Sequence, residues 1–152
     1  VDVLIANEED AEKSLGVKAR NTDITSAKLD IDGYRALAEK LTELYHFEAV
    51  AFTLRESISA SVNNWSSMLY QDGKAYVSKK YTIQIVDRVG GGDSFASGLI
   101  YAALNGFEPQ KMIEFATAAS CLKHTIEYDF NLCTAEEVEN LMNGDGSGRI
   151  SR

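Results

Sequence analysis

Val86-Asp87-Arg88-Val89-Gly90-Gly91-Gly92-Asp93-Ser94-Phe95-Ala96-Ser97-Gly98 places three consecutive glycines and a carboxylate where a strand-like run hands over to a helix. Ile83 and Ile85-Val86 read as the end of a buried strand, and Phe95, Leu99-Ile100 and Ala103-Leu104 recur at helical spacing beyond the glycines. Glycines there let the backbone approach a ligand, while the free N–H groups and positive dipole end of a new helix favour an anion. Asp93, at the helix mouth, is placed to accept a proton from a hydroxyl that attacks a bound phosphate. The stretch therefore reads as a phosphoryl-transfer site.

The same residues also suit a tight strand-to-helix turn in which Asp93 only satisfies the helix dipole. Three glycines exceed what a turn needs, since each costs about 0.5–1 kcal/mol in an element interior. Two commoner phosphate motifs are absent: nothing matches G-x-x-x-x-G-K-[ST], and Phe95 stands where a dinucleotide fingerprint has its third glycine.

Outward from this turn, strands alternate with helices. Residues 1–6 read as a buried strand, 8–15 as a short helix and 31–45 as an amphipathic helix, with Tyr34, Leu37-Ala38, Leu41 and Leu44-Tyr45 on one face. Residues 49–54, 59–63, 65–70 and 74–85 read as strands, with Asp72-Gly73 as a hairpin turn before the last. Helices follow at 92–105, 109–124 and 135–142, the second opened by Pro109 and the third capped by Thr134 with Glu137 three residues on. The pattern predicts an α/β layered fold, a mixed sheet flanked by helices, with 65–85 as an antiparallel excursion and 144–152 as a flexible tail.

Asp87 through Gly98 resembles the C-terminal signature of the ribokinase, or PfkB, family of sugar kinases, usually D-T-x-G-A-G-D-x-F-x-x-G. The resemblance implies a ribokinase-like, Rossmann-like fold, with Asp93 as the catalytic base and Gly90, Gly91 and Gly92 as the anion hole around the transferred phosphate. Arg88 replaces the usual Thr and Gly91 the usual Ala, and Arg88 thereby brings a cation near the phosphates, with its role open. The D-R-V-G-G-G-D form is associated with 2-keto-3-deoxygluconate kinases, as is the L-K-H-T-x-x-G-D-F-N run that Leu122 to Asn131 resembles, with Tyr128 in place of glycine. In the family that loop follows a helix lining the nucleotide pocket, which puts Asn131 at the adenine end. By composition alone, Lys123 and His124 make a basic helix end, and no catalytic role falls to His124.

Asn7-Glu8-Glu9-Asp10 resembles the family's N-x-x-E motif, which organises Mg²⁺ and phosphate through water; Asp10 keeps a shortened carboxylate. The same four residues make an ordinary helix N-terminus with Asn7 as cap. The run from Ala49 ends in Thr53-Leu54-Arg55-Glu56-Ser57, and ligands of doubly wound sheets sit beyond the carboxyl ends of strands. The resemblance assigns Thr53, Arg55 and Ser57 to the nucleotide phosphates, although Thr53 and Ser57 also suit a strand and a turn.

Composition fits one enzyme domain: 152 residues with 45% hydrophobic residues bury one core. A net charge of −8 disfavours nucleic acid or an anionic membrane surface as partner. No apolar run is long enough for a span, and no signal peptide is apparent. Cys121 and Cys133 lack C-x-x-C spacing and read as reduced thiols of a cytoplasmic protein, and with two His they do not suggest structural zinc.

The chain starts without Met, directly in Val1-Asp2-Val3-Leu4-Ile5-Ala6, so a cut chain is expected. By the resemblance, residues 1–143 are the C-terminal nucleotide-binding and catalytic portion of a sugar kinase. The resemblance implies an N-terminal half, with most of the sugar pocket and a β-strand lid, that is expected to be missing here. The expected activity of the intact protein is ATP- and Mg²⁺-dependent phosphorylation of the 6-hydroxyl of the sugar acid 2-keto-3-deoxygluconate, with this portion inactive alone. Another sugar specificity of the family and a nucleotide-binding module without transfer are the alternatives. A monovalent cation and a homo-oligomeric assembly stay open.

Overall fold

The apolar run from Ala49 becomes a central strand because both of its faces are covered. The computed structural model describes residues 1–7, 10, 13, 16, 17 and 30–144. In it β2 (Ala49–Ser57) lies between β1 (Val3–Ala6), parallel to it, and β3 (Val62–Gln71), antiparallel to it. Alternate side chains point to opposite faces. Val50, Phe52 and Leu54 pack with Met68 and Tyr70 against Tyr34, Leu37, Ala38 and Leu41 of α1 (Ile31–Tyr45). Ala49, Ala51 and Leu69 face the other way, toward Phe95 and Leu99 of α2 (Gly91–Leu104) and Ile113 and Ala116 of α3 (Pro109–Lys123). This is the expected mixed sheet flanked by helices. A last helix, α4 (Ala135–Asn143), adds Val138 and Met142 to a third cluster around Phe115, Ala118 and Leu122 of α3.

Local chemistry sets the element ends. The Asp30 side chain accepts from Gly33 N–H at 3.0 Å to start α1, which stops at His46 in the left-handed region. Pro109 opens α3, and Thr134 and Glu137 form a reciprocal capping box on α4. Asp72 and Gly73, both at positive φ, close the hairpin between β3 and β4 (Lys74–Val77), as the sequence predicts. Among the described residues no helix is long and apolar enough to cross a membrane.

Three strand expectations change. The two strands expected at 59–63 and 65–70 are one that begins only at Val62, after a turn at 58–61 closed by Ile58 and Ser59 N–H on the Val62 carbonyl; Asn64 is accommodated mid-strand by hydrogen bonds to Glu56 on one neighbour and Thr82 on the other. The single strand expected at 74–85 is two, β4 and β5 (Tyr81–Gln84), both on the same edge of β3. Met68 pairs with Val77 but Trp65 with Tyr81, so two residues of β3 oppose three at 78–80, a bulge. Ser78 fills the gap: its N–H donates to the Ser67 carbonyl, and its hydroxyl accepts from the Ser67 N–H, each at 2.9 Å. The buried strand end expected at Ile85-Val86 is instead the start of a loop. Val86 and Asp87 N–H leave the sheet for the carbonyl of His124, and Val86 is exposed.

At the N-terminus the expected strand 1–6 is observed as Val3–Ala6, paired with β2 and half exposed at Val3. Most of the short helix expected at 8–15 falls outside the described residues, as does the expected tail beyond Gly144; Asp10 and Lys13 are helical.

Candidate active site

Two of the three glycines are required by packing and the third is not. Gly90 is the N-cap of α2 at φ 77, where a side chain is strained and a Cβ would run into the backbone carbonyl of Asp129. A Cβ on Gly91 would lie 2.6 Å from Cε1 of His124. Gly92 faces open space. The Gly91 N–H donates to the Arg88 carbonyl, and the first helical bond runs from Ser94 N–H to the Gly90 carbonyl. The N–H groups of Gly92 and Asp93 have no acceptor among the described residues, as expected in a first helical turn. No side chain caps this helix. The Asp93 carboxylate is exposed, has no partner among the described residues, and lines a cavity of about 620 Å³.

That volume is in the range of small-molecule sites. Gly90 and Ser97 line it beside Asp93, Tyr101 and Phe115 give it apolar wall, and Phe130 and Asn131 come from the loop after α3. The sequence reading singled out Asn131 but not Ser97, Tyr101, Phe115 or Phe130, which converge only through tertiary packing. A signal did exist for Phe130: with Tyr128 and Leu132 it puts three large apolar side chains, each about 75% exposed, into a short loop. Asn131 is a brace at the cavity wall. Its Nδ2 donates to Ser94 Oγ at 2.6 Å and the Ala119 carbonyl at 3.1 Å, and its Oδ1 accepts from Cys133 N–H.

Loops 85–90 and 125–131 are joined through Asp87, whose carboxylate accepts from Val89 N–H and Tyr128 N–H, both at 3.0 Å. The Val89 bond holds the carboxyl below the usual carboxylate range against partial desolvation, helped by Tyr128 N–H and the charge of Lys123. Tyr128 sits at φ 66, which accounts for glycine being usual at that place in the motif. Arg88, whose role the sequence left open, donates through Nη2 to the Ala60 carbonyl at 2.8 Å. With the Asn63 amide oxygen turned toward it, Nη1 donates there at 2.9 Å.

His124 forms the floor under the turn. Its Nδ1 lies 2.7 Å from the Ser120 carbonyl and so carries the proton, and its ring packs on Trp65 with centroids 4.7 Å apart. Burial pushes its pKa below the ordinary 6.5; the Ser120 bond opposes this, and the charges of Lys123, Arg88 and Arg55 add to it. A base with a lowered folded pKa contributes stability that is present above pH 6.5 and lost as pH falls toward the folded value. Melting curves between pH 7 and pH 5 are therefore expected to show a steeper loss for the native chain than for His124→Gln. Emission of Trp65, the only tryptophan, should hold through the upper part of that window and fall only as pH reaches the lowered folded value, where the His124 ring against it takes its second proton. Parallel pH curves for the two proteins would remove this role from His124.

The remaining candidates sit apart from the cavity. β2 runs past Leu54 to Ser57 because β3 pairs with it throughout, so Thr53, Arg55 and Ser57 lie within a strand, opposite Ser67, Trp65 and Asn63, rather than beyond its end. None of the three lines the cavity. Arg55 is close enough for its charge to act on His124, which puts it on the side of the glycine turn. Asn7 follows Ala6, whose β2 partner is Phe52, and so comes level with Thr53. Its N–H donates to the Asp10 carboxylate at 3.1 Å, and its Oδ1 accepts from Asp10 N–H at 2.9 Å. This reciprocal pair is the helix-capping geometry weighed from the sequence; Glu8 and Glu9 between them lie outside the described residues. Among the described residues no three His, Cys, Asp or Glu cluster as metal ligands.

In structure, the chain is similar to the 2-dehydro-3-deoxygluconokinase of Thermotoga maritima, with 53% identity, a TM-score of 0.89, and 95% of this chain aligned to 42% of that one. It is also similar to a PfkB family carbohydrate kinase from Listeria grayi, at 30% identity and a TM-score of 0.77 over 93% of this chain and 41% of the other. In sequence, 97% of the chain aligns at 26% identity with 40% of the 2-dehydro-3-deoxygalactonokinase of Haloferax volcanii. The chain thus spans about two fifths of the length of these relatives. Residues 1–128 match the pfkB family carbohydrate kinase, and the chain belongs to that family.

Proposed function

We propose that this chain is the nucleotide-binding and phosphoryl-transfer portion of a kinase that moves the γ-phosphoryl group of ATP to the 6-hydroxyl of 2-keto-3-deoxygluconate, the 2-dehydro-3-deoxygluconate of the Thermotoga relative. The observation that carries the reading is the exposed Asp93 carboxylate at the mouth of one cavity, beside the N–H groups of Gly92 and Asp93, none of which has a partner among the described residues. A binding-only module has no use for a carboxylate against phosphates, where it is electrostatically unfavourable.

Asp93 accepts the proton of the sugar hydroxyl as its oxygen attacks the γ-phosphorus; the bond from that phosphorus to the bridging oxygen breaks, and ADP leaves. The N–H groups at the start of α2 hold the charge on the transferred group, with the helix dipole behind them. Arg55, and Arg88 from its place on the 58–61 turn, add positive charge on the same side. The cavity accommodates a nucleotide, with the aromatic rings of Tyr101, Phe115 and Phe130 offering apolar surface to the base and Asn131 bracing that wall. Mg²⁺, when bound, neutralises phosphate charge. That no three acids, histidines or cysteines gather among the described residues suits an ion held by phosphates and water more than by the chain, with Asn7 and Asp10 in the outer positions the family motif implies.

The sugar assignment rests on the 53% identity to the Thermotoga relative. It is tested by ADP release from the intact protein across 2-keto-3-deoxygluconate, 2-keto-3-deoxygalactonate, fructose and ribose. Preference for the first is expected; preference for another moves the specificity within the family, and release with none removes the transfer function.

Gly92→Ala separates the site from its scaffold. A methyl group there meets nothing in the fold, and alanine is the better helix former, so the melting temperature should hold or rise. The same methyl group intrudes where the transferred phosphate is placed, so kcat/KM should fall by about tenfold or more, in line with loss of an oxyanion donor's geometry. Full activity in Gly92→Ala would place the phosphate elsewhere.

A further inference from the structure

Lys123, the last residue of α3, has a fully buried side chain. A basic residue that merely complements a helix dipole stays in water, and burying an ammonium is costly unless its charge and donors are met. Its Nζ donates to the Ile126 carbonyl at 3.1 Å, and no ion pair accompanies that bond among the described residues. The carbonyl of the next residue, His124, accepts from the N–H groups of Val86 and Asp87 at 2.8 and 3.3 Å, so this end of α3 meets the Asp87 loop, and the Lys123 charge helps to hold the Asp87 carboxyl down. Asp87 holds the N–H of Val89, next to Gly90, and the N–H of Tyr128, next to the Asp129 carbonyl that packs on Gly90. The ammonium therefore lies at the junction where the loop leading into the glycine turn meets the loop that walls the cavity.

We propose that Lys123 is a positioning residue, a cation built into the chain that holds loop 125–131 against the Asp87 loop and so sets the glycine turn without an external monovalent cation at that junction. This rests on the kinase reading above. An ammonium and a potassium ion share a charge, are close in size and take carbonyl oxygens as neighbours, so removing the side chain leaves a place that a small cation fits and a larger one does not.

The test uses the intact protein with choline as the sole monovalent cation, then with potassium or ammonium chloride at matched ionic strength. For the native protein, kcat should be the same in all three salts. Lys123→Ala should lose about 10–100-fold in kcat, the scale of a displaced catalytic geometry, with the sugar KM little changed. Ammonium or potassium should restore part of that loss and choline none. Lys123→Met, which fills the space with no charge, should show the loss without the rescue. Several-fold potassium activation of the native protein overturns the proposal, as does full kcat in Lys123→Met or an unrescued loss in a folded Lys123→Ala. Circular dichroism and Trp65 emission report folding, and if neither variant folds the native salt series decides. If no sugar acid is phosphorylated, the kinase reading fails by itself. The same salt comparison is then made on binding of Mg²⁺ and a non-hydrolysable ATP analogue by calorimetry, where equal native affinity in the three salts is expected and potassium-dependent affinity overturns the inference.

Discussion

Asp93→Asn is expected to lower kcat of the intact protein by about 10²–10⁴-fold, the range of a removed general base, while KM for ATP and for the sugar acid changes little. The substitution keeps the size and the exposed position at the start of α2, so the fold is not at issue. It removes a proton-accepting group that lines the cavity and belongs to the same first turn as the Gly92 and Asp93 N–H groups, which have no acceptor among the described residues. It also removes a negative charge facing phosphates, so nucleotide affinity should hold or improve. That opposite movement of binding and turnover is the diagnostic feature. Turnover in Asp93→Asn equal to that of the native protein would sink the assignment of the base, and a matched loss of affinity and kcat would make Asp93 a structural residue.

Gly90→Ala should be the most damaging single substitution in the turn, costing about 3 kcal/mol or more of stability. Its φ of 77 lies in the left-handed region, and the added carbon would have to displace the Asp129 carbonyl, which is backbone and cannot rotate away. Loss on this scale is a large fraction of the 5–15 kcal/mol typical of a domain. A urea melt of the chain measures it directly, with Gly92→Ala as the control that adds the same methyl group two residues on without contact. Equal midpoints for the two variants would mean that loop 125–131 yields to the change, and that Gly90 is not the contact that fixes it.

The glycine turn was legible from local features because each has a short-range cause. Glycines, a following amphipathic period and an acid at the third helical position are all contained in Gly90 to Leu104, and they needed no partner to be recognised. The same holds for the bounds of α1, whose expected apolar face is buried at Tyr34, Leu37, Ala38 and Leu41 but exposed at Leu44 and Tyr45, for the Asp72-Gly73 hairpin, and for the Thr134–Glu137 cap. Helix periodicity and turn chemistry act over a few residues, so they survive in the sequence as pattern.

Strand limits did not survive in that form, since what ends a strand is its neighbour. β2 continues to Ser57 because β3 offers partners that far, and β4 and β5 part at Ser78 because one extra residue is absorbed there by a hydroxyl. Neither cause lies within the strand concerned. The division of labour among the three glycines was equally invisible: Gly90 and Gly91 are set by Asp129 and His124, more than thirty positions away, while Gly92 faces open space. Sequence by itself thus determined the type of the elements, the family and the identity of the candidate base, because these depend on local spacing. Tertiary structure alone decided which side chains wall the cavity, which carboxylate is free and which clamps a loop, and that Lys123 is inside, because burial and long-range hydrogen bonds belong to the packed chain and to no segment of it.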